Sequence, residues 1–396
     1  MNQDAFHHSF SLKKTCFLVI SHYRFQYFQK KQKLMQIAVD IRWYDDTTPY
    51  GRCVLKIVCD IATLNSENGY IVYWEKPLIC KTPENLKFHP VHQKKWNFFD
   101  QRSFKKTLEN HNSHLTIFFD ECIPFGYKKD YIVFIPSLQE VFFPKLGFLK
   151  KLLHQKALQW ALKNAHDILC FEKNTALELN ERLNIKEEKI QVLYPFFISK
   201  KPTIDTSDIK LDIKAKYNLT KDFILYDAGN DSNSNFERVL KILQKLSDTG
   251  KKVNLLVISE DTTADVELRK KVLEFKIEKS IFFIGRIEAK DEVYYYTQAT
   301  GVIFPTIYSS FPFAFARTIL YQAPIITSEL KSIQEIMEDS ITYFNSRSTN
   351  EAAQQVTEFL QERKQPNLYS SLNKRLSPEN TVKSLLKVIE SWEKRL

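Results

Sequence analysis

The sequence predicts an α/β protein built from two doubly wound domains, each a parallel β-sheet with helices on both faces. Its 396 residues suit two domains of ordinary size. Apolar runs of strand length alternate with segments of helix length from about residue 35 to residue 195, and the alternation begins again at Phe223. A composition of 43% hydrophobic and 26% charged residues is typical of a globular protein.

The first predicted domain, residues 35–198, is Rossmann-like and opens with the strand pattern MQIAVDIRW at Met35. Its predicted strands are 36–41, 70–74, 115–119, 131–135, 167–170 and 190–193, and its predicted helices lie near 51–64, 103–110, 149–164 and 174–183. Such alternation favours parallel strands that are buried on both faces of the sheet.

The second predicted domain, residues 215–377, is also Rossmann-like. Its predicted strands are 223–227, 253–258, 280–284, 301–304 and 324–326. Residues 199–214 are predicted to be a linker, because Lys, Pro, Thr, Ser and Asp dominate there with little periodicity.

Residues 1–34 form a basic N-terminal extension, with six Lys or Arg and one acid. They supply half of the chain's net charge of +10. A disordered tail, a membrane-surface anchor and sequence upstream of the true start all fit this composition, and we favour disorder or a misassigned start. No helix-turn-helix, zinc-finger spacing or RNP-like strand is visible, so we expect no specific nucleic-acid partner.

The six cysteines include no C-x-x-C pair and have no histidine at metal-ligand spacing, so we interpret them as buried free thiols and expect no metal site. No apolar stretch approaches the roughly 18 to 20 residues that span a bilayer. We therefore expect a cytoplasmic protein.

The most informative segment, residues 282–326, contains F-x-G ending at Gly285, then P-T-I-Y-S-S-F, then P-I-I after a helix. It resembles the C-terminal half of group 1 glycosyltransferases of the GT-B type, whose pattern reads F-x-G and P-S-x-Y-E-G-F-G-x-x-x-x-E. The resemblance extends over residues 35–396. It implies a cleft between the two domains and a C-terminal helix, 378–396, that returns to the first domain.

The resemblance also implies an activity. Group 1 enzymes of the retaining type transfer a sugar from a nucleotide diphosphate sugar to a glycan or lipid-linked acceptor without a metal ion or other cofactor. In the family, a loop D-A-R followed by G-x-G-R-Y opens the first helix. Here Asp40, Ile41 and Arg42 are followed by Gly51 and Arg52, which are candidates to face phosphate.

The remaining family positions are altered. Pro136 and Ser137 replace a His-Asp pair whose histidine contacts the transferred sugar. In the phosphate loop after Gly229, Asn230 and Asn235 replace an arginine and a lysine, and Arg238 is placed to compensate in part. The alternative interpretation is that the Asp, Ser and Asn residues before the next helix only cap its N-terminus.

Two family glutamates are replaced as well, by Ser309 and Arg317, while Ser310 replaces a glycine and Phe311 retains the family's phenylalanine. Serine can still bind a sugar hydroxyl. Arginine has no acceptor for a ribose hydroxyl, but it can pair with phosphate. We interpret the chain as a glycosyltransferase-like protein with a changed donor site, or as an inactive scaffold that partners an active transferase.

Residues 142–163 contain five lysines and no acid among aromatic and leucine side chains. This pattern indicates a basic amphipathic helix that can lie on an anionic membrane surface, as in GT-B enzymes with lipid-linked acceptors. The expected location is then peripheral, on the inner face of the membrane. A domain helix with a solvated basic face explains the same pattern.

Overall fold

The computed structural model describes residues 35–76, 82–94, 97–139, 148–196, 211–228, 235–259, 262–362, 372 and 376–395. The predicted extension 1–34 and most of the predicted linker 199–214 lie outside these ranges. The described chain forms two parallel β-sheets with helices between their strands. This architecture confirms the predicted α/β class.

The first sheet has seven strands among the described residues, in the order β3-β2-β1-β4-β5-β6-β7. In chain order they are β1 (Gln36–Asp40), β2 (Gly69–Trp74), β3 (Leu86–Pro90), β4 (Leu115–Phe118), β5 (Tyr131–Ile135), β6 (Asp167–Cys170) and β7 (Ile190–Val192). Its helices are α1 (Pro49–Leu64), α2 (Phe98–Asn110), α3 (Phe148–Asn164) and α4 (Lys173–Leu183). The strand order reverses between β1 and β4, and every pair is parallel.

The second sheet has six strands in the described chain, in the order β10-β9-β8-β11-β12-β13. They are β8 (Phe223–Asp227), β9 (Asn254–Ile258), β10 (Ile281–Gly285), β11 (Gly301–Phe304), β12 (Ile325–Ser328) and β13 (Thr342–Phe344). The helices of this part are α5 (Ile213–Lys216), α6 (Phe236–Asp248), α7 (Thr262–Glu274), α8 (Glu292–Gln298), α9 (Ala316–Leu320), α10 (Lys331–Met337), α11 (Thr349–Glu362) and α12 (Pro378–Glu393). The order reverses between β8 and β11.

Helix α12 packs against α1. Three hydrogen bonds also join it to residues of the part of the chain that forms the first sheet. The indole N–H of Trp392 donates to Asp130, and Glu393 accepts from Asn68, each at 3.2 Å. The Thr381 hydroxyl donates to the backbone carbonyl of residue 194 at 2.8 Å. One continuous cluster of buried apolar side chains extends from the first sheet through this helix into the second sheet.

Candidate functional site

The carboxyl ends of the two sheets face each other. Phe313, in the loop after β11, lies 4.9 Å from the ring of Tyr50 and 6.0 Å from that of Phe171, which follow β1 and β6. The Tyr308 hydroxyl, from the same loop, donates to Glu178 of α4 at 3.1 Å. Ligands of open α/β sheets bind beyond the carboxyl ends of the strands where the order reverses, so this cleft is the candidate site.

The predicted D-x-R motif of the first domain is an internal ion pair. The Arg42 guanidinium donates two hydrogen bonds of 2.9 Å to the Asp40 carboxylate, and their side chains are 1% and 3% exposed. Gln93 accepts a third hydrogen bond from Arg42 at 2.7 Å, and the ring of Phe104 lies 3.3 Å from the guanidinium carbon. Both charges are used to hold the end of β1 in place.

The N-terminus of α1 is hydrogen-bonded to the loop that precedes it. Thr48 caps the helix by accepting a hydrogen bond from the Gly51 N–H at 3.0 Å, and Pro49 occupies the first turn. Arg52 is exposed and donates to the backbone carbonyl of Thr47 at 2.7 Å. The predicted phosphate-facing groups of Gly51 and Arg52 are thus hydrogen-bonded to the 45–48 loop in this structure.

Gly51 is required by packing. A methyl group at this position would lie 1.9 Å from the backbone carbonyl oxygen of Asp45. We expect Gly51→Ala to lower the free energy of unfolding by about 1–3 kcal/mol, because the loop must move away. Arg52→Ala, at the neighbouring exposed position, is the control and is expected to change it by no more than about 0.5 kcal/mol in urea titrations. Equal effects of the two variants would contradict this explanation.

The phosphate loop of the second domain is partly described, because Gly229 and Asn230 lie outside the described residues. Asn235 caps α6: its side chain accepts from the Arg238 N–H at 3.2 Å. Its own N–H donates to the carbonyl of Pro305 at 2.9 Å, and the Arg238 guanidinium donates to Thr349 at 2.9 Å. Asn235 therefore has the capping role that the sequence offered as the alternative to phosphate binding.

The segment predicted to hold the sugar begins after β11. The Ser309 hydroxyl donates to the backbone carbonyl of Ser310 at 3.0 Å, and both serines are half-buried. Phe311 is buried, and its ring lies 4.6 Å from that of Phe313. Gly285 ends β10 at a positive φ of 66°, a conformation that favours glycine.

Arg317, the sharpest departure from the family pattern, is held by two acids. Its guanidinium lies 3.8 Å from Asp227 at the end of β8 and 3.6 Å from Glu292 at the start of α8. The Tyr296 hydroxyl donates to Asp227 at 3.4 Å and the Tyr321 hydroxyl to Glu292 at 3.1 Å. Two carboxylates and one guanidinium give this cluster a net negative charge. It therefore offers hydrogen-bond acceptors, and it is a poor site for a phosphate group.

Tyr321 keeps its proton at neutral pH. Burial, and then the charge of Glu292, raises its pKa to about 12. Burial also raises the pKa of Tyr296 well above its ordinary value, with Asp227 adding to the effect. Both phenols therefore remain donors that fix the orientation of the two carboxylates.

Sequence reasoning missed Asp227, Glu292 and a third acid, Glu172. Asp227 is the last residue of a buried strand and Glu172 comes shortly after another, which is a detectable signal because such positions lie at the carboxyl edge of the sheet. Glu172 is fully buried, and its Oε2 atom has no hydrogen-bond partner among the described residues. Burial, with Glu335 and Glu178 adding smaller effects, raises its pKa from 4.5 to about 8.

Ser137 stands at the position of the family's His-Asp pair and lies near Tyr308, in the loop after β11. Its hydroxyl accepts from the Gln139 N–H at 3.1 Å, and it lies close enough to Tyr308 to offset in part the rise in pKa that burial causes in that phenol. Among the described residues, no group of three or more His, Cys, Asp or Glu side chains is arranged to hold a metal ion.

A cavity of about 480 Å³ lies at the opposite edge of the second sheet, near the amino ends of β8, β9 and β11. Its lining includes four exposed lysines: Lys214, Lys221, Lys251 and Lys252. Lys214 forms an ion pair with Asp222 at 2.6 Å. This cavity lies away from the cleft and contains none of the predicted site residues.

The described part of the predicted membrane-facing helix is α3, since residues 142–147 lie outside the described ranges. Lys156 and Lys163 are exposed, and Leu158 is buried. Phe125 is 70% exposed and its ring lies 5.2 Å from that of Trp160. No described helix is both long and apolar enough to cross a membrane.

Comparisons with known proteins cover both sheets. The model of the family "Glycosyl transferases group 1" matches residues 209–376. A sucrose-phosphate synthase from Thermosynechococcus elongatus is similar in structure, with a TM-score of 0.69, 12% identity, and coverage of 91% of this chain and 100% of that chain. No curated protein matches the sequence.

Two further solved structures have the same arrangement. A glycosyltransferase from Rickettsia africae ESF-5 has a TM-score of 0.65 and 11% identity, covering 91% of this chain and 98% of the other. HepE of Anabaena, in complex with UDP and glucose, has a TM-score of 0.65 and 12% identity, with coverage of 90% and 100%. These likenesses confirm the predicted GT-B fold.

Proposed function

Because the model of the family "Glycosyl transferases group 1" matches residues 209–376 and the chain has the GT-B fold, we propose that the protein transfers a sugar from a nucleotide diphosphate sugar. The acceptor is a glycan or a lipid-linked glycan, and the configuration at the anomeric carbon is retained. The observation that carries the proposal is the polar cluster at the point where the strand order of the second sheet reverses, within the residues that match the group 1 model. The UDP and glucose bound to HepE support the donor class.

Within this proposal, Glu292 takes the role of the ribose-binding acid. In the family a glutamate at the position of Arg317 accepts from the ribose hydroxyls. The Arg317 guanidinium lies 3.6 Å from Oε1 of Glu292, so a carboxylate remains next to that position although it comes from α8. The Tyr321 hydroxyl donates to the other oxygen, Oε2, which leaves Oε1 directed toward the arginine.

The pyrophosphate is proposed to bind at the N-terminus of α6. This helix has 13 residues, and its first turns carry the positive end of the helix dipole. Gly229, Asn230 and the side-chain NH2 of Asn235, whose oxygen caps α6, then supply amide donors instead of cations, with Arg238 adding charge one turn further. Neutral donors bind phosphate more weakly than cations, so we expect lower donor affinity than charged family members have. Ser309, Ser310 and Phe311 would face the sugar, and no metal ion takes part.

A thermal-shift screen with UDP-, GDP- and ADP-sugars tests donor binding. One nucleotide class is expected to raise the unfolding midpoint, because a ligand at a hundredfold its dissociation constant adds about 2.7 kcal/mol of stability. The other two classes serve as controls for nonspecific effects. A flat response to all three would remove the donor proposal.

A non-catalytic partner of an active transferase is the second candidate function. The contact of Phe313 with Tyr50 and Phe171 favours it, because these rings meet in the cleft beside the proposed sugar-binding loop. Pro136, which has no ionisable group, also stands at the position of the family's histidine. This candidate predicts a stable GT-B fold that no nucleotide sugar stabilises.

We also propose that α3 places the protein on an anionic membrane surface, where a lipid-linked acceptor would lie. Lys156 and Lys163 supply exposed positive charge, and Phe125 supplies an exposed ring.

Co-sedimentation with vesicles tests this placement. We expect binding to vesicles rich in phosphatidylserine at low salt and much weaker binding to phosphatidylcholine vesicles. Changing Lys156 and Lys163 to Glu should abolish binding, whereas the same change at Lys251 and Lys252 should leave it intact. Equal binding of the wild-type protein to both vesicle types would overturn the proposal.

A further inference from the structure

A carboxylate from the second sheet's side of the cleft caps a helix of the first. Glu335, on α10, accepts hydrogen bonds from the N–H of Lys173 at 2.8 and 3.0 Å and from that of Asn174 at 3.3 Å. These amides begin α4, and the Tyr194 hydroxyl donates to the same carboxylate at 2.7 Å. A negative charge there also faces the positive end of the helix dipole. Since α4 has no side-chain cap of its own, Glu335 supplies its N-terminal partner.

The buried acid Glu172 lies at the same junction, immediately before α4. Thr175 donates to its Oε1 atom at 2.8 Å, while Oε2 has no hydrogen-bond partner in the part of the chain that the structure describes. A buried carboxylate with an unsatisfied oxygen is costly, whereas the neutral acid is much less so. Closure of this junction therefore favours the protonated form of Glu172.

We propose that Glu335 and the N-terminus of α4 form a latch that closes the cleft, and that the protonation of Glu172 controls it. The latch is a conformational device of the two-domain fold, and it does not depend on which donor or acceptor the protein binds. When Glu172 is neutral, the domains stay closed. When it ionises, its charge is buried beside Glu335, and the domains separate to hydrate it.

The acidic groups that face Glu172 act in the same direction as burial, whereas the hydrogen bonds from Thr175 lower its pKa. Glu178 on α4 and Glu335 on α10 both raise its pKa by repulsion, after the larger effect of burial. Arg182 lies 3.8 Å from Glu178 and partly offsets that charge. Lys173, the residue after Glu172, is exposed. Burial raises the pKa of Cys170 to about 12 and also raises that of Tyr308, so both groups are neutral near pH 7.

The sign of the pH dependence follows from the raised pKa. Glu172 has a pKa of about 8 in the closed protein and is expected near its ordinary 4.5 once hydrated. The closed form therefore binds the proton more tightly, and its advantage is greatest below about pH 4.5 and is lost as the pH rises through 8. We expect the ratio of closed to open protein to fall at least tenfold between pH 5 and pH 9, since each unit of pKa difference corresponds to a factor of ten.

Small-angle X-ray scattering of the full chain between pH 5 and pH 9 tests the latch, with far-UV circular dichroism as the check on folding. The wild-type radius of gyration is expected to increase with pH while the circular dichroism stays constant. Glu172→Gln, which cannot ionise, should stay closed throughout, and Glu335→Gln should be open at every pH. Glu181→Gln, at an exposed position on α4, is the matched control and should behave as the wild type.

A wild-type radius of gyration that is constant over this range overturns the proposal. So does a full pH response in Glu172→Gln. If Glu172→Gln does not fold, Glu335→Gln alone tests the latch, because the Glu335 side chain is only half-buried and its replacement is tolerated more easily. A Glu335→Gln protein as compact as the wild type at pH 5 would then contradict the latch.

Discussion

Replacing Asp40 with alanine is expected to lower the free energy of unfolding by about 3–5 kcal/mol, the largest stability effect predicted for this chain. The substitution leaves the Arg42 guanidinium buried at 1% exposure without its two 2.9 Å hydrogen bonds to a carboxylate. A buried charge without a counter-charge is far more costly than an exposed one. Urea titration followed by circular dichroism measures the loss.

Two further variants separate the buried pair from ordinary surface effects. Replacing both partners, as Asp40→Leu with Arg42→Met, removes the unpaired charge and is expected to cost less than Asp40→Ala alone. Asp60→Ala breaks the partly exposed pair with Lys56 and is expected to cost no more than about 1 kcal/mol. If Asp40→Ala costs as little as Asp60→Ala, the pair does not hold β1 and its side chains are free to serve a ligand.

Glu292→Gln is expected to weaken binding of the stabilising nucleoside diphosphate by roughly ten- to a hundredfold. A hydrogen bond to a charged acceptor contributes about 1.5–3 kcal/mol, and the amide keeps the shape but loses the charge. Isothermal titration measures the change. Glu288→Gln is the matched control, because Glu288 is exposed, precedes the same helix and forms an ion pair with Lys290.

The 2′-deoxynucleotide distinguishes ribose recognition from a general loss of structure. Wild-type protein is expected to prefer the ribonucleotide, and Glu292→Gln should lose that preference. A variant that binds both nucleotides more weakly but keeps the preference would place the ribose elsewhere.

The elements that the sequence predicted well are the buried ones. Strands such as β1 and β8 contain continuous apolar runs, and their predicted bounds agree closely with the structure. Two edge strands were not predicted. In β3, Lys87 and His89 interrupt the apolar pattern, and β13 has only three residues. Edge strands are covered on fewer sides, so their composition is less distinctive.

The sequence located residues of the candidate site, but it did not predict which side chains they contact. Resemblance located Arg317, yet nothing local to it indicates that Asp227 and Glu292 neutralise its charge, because these acids come from β8 and α8. The same holds for Glu335, which reaches a helix far away in sequence. Side-chain pairing between distant elements depends on the tertiary fold, and a single sequence carries no direct signal of it.

Release of nucleoside diphosphate from the nucleotide sugar that stabilises the protein most is the direct test of the proposed activity. We expect the wild-type protein to release it faster than buffer alone, and Glu292→Gln to lose most of this rate while Glu288→Gln keeps it. Binding of the nucleotide sugar with no release above the buffer rate, in the presence of candidate glycan and lipid-linked acceptors, would contradict transfer and favour the non-catalytic partner.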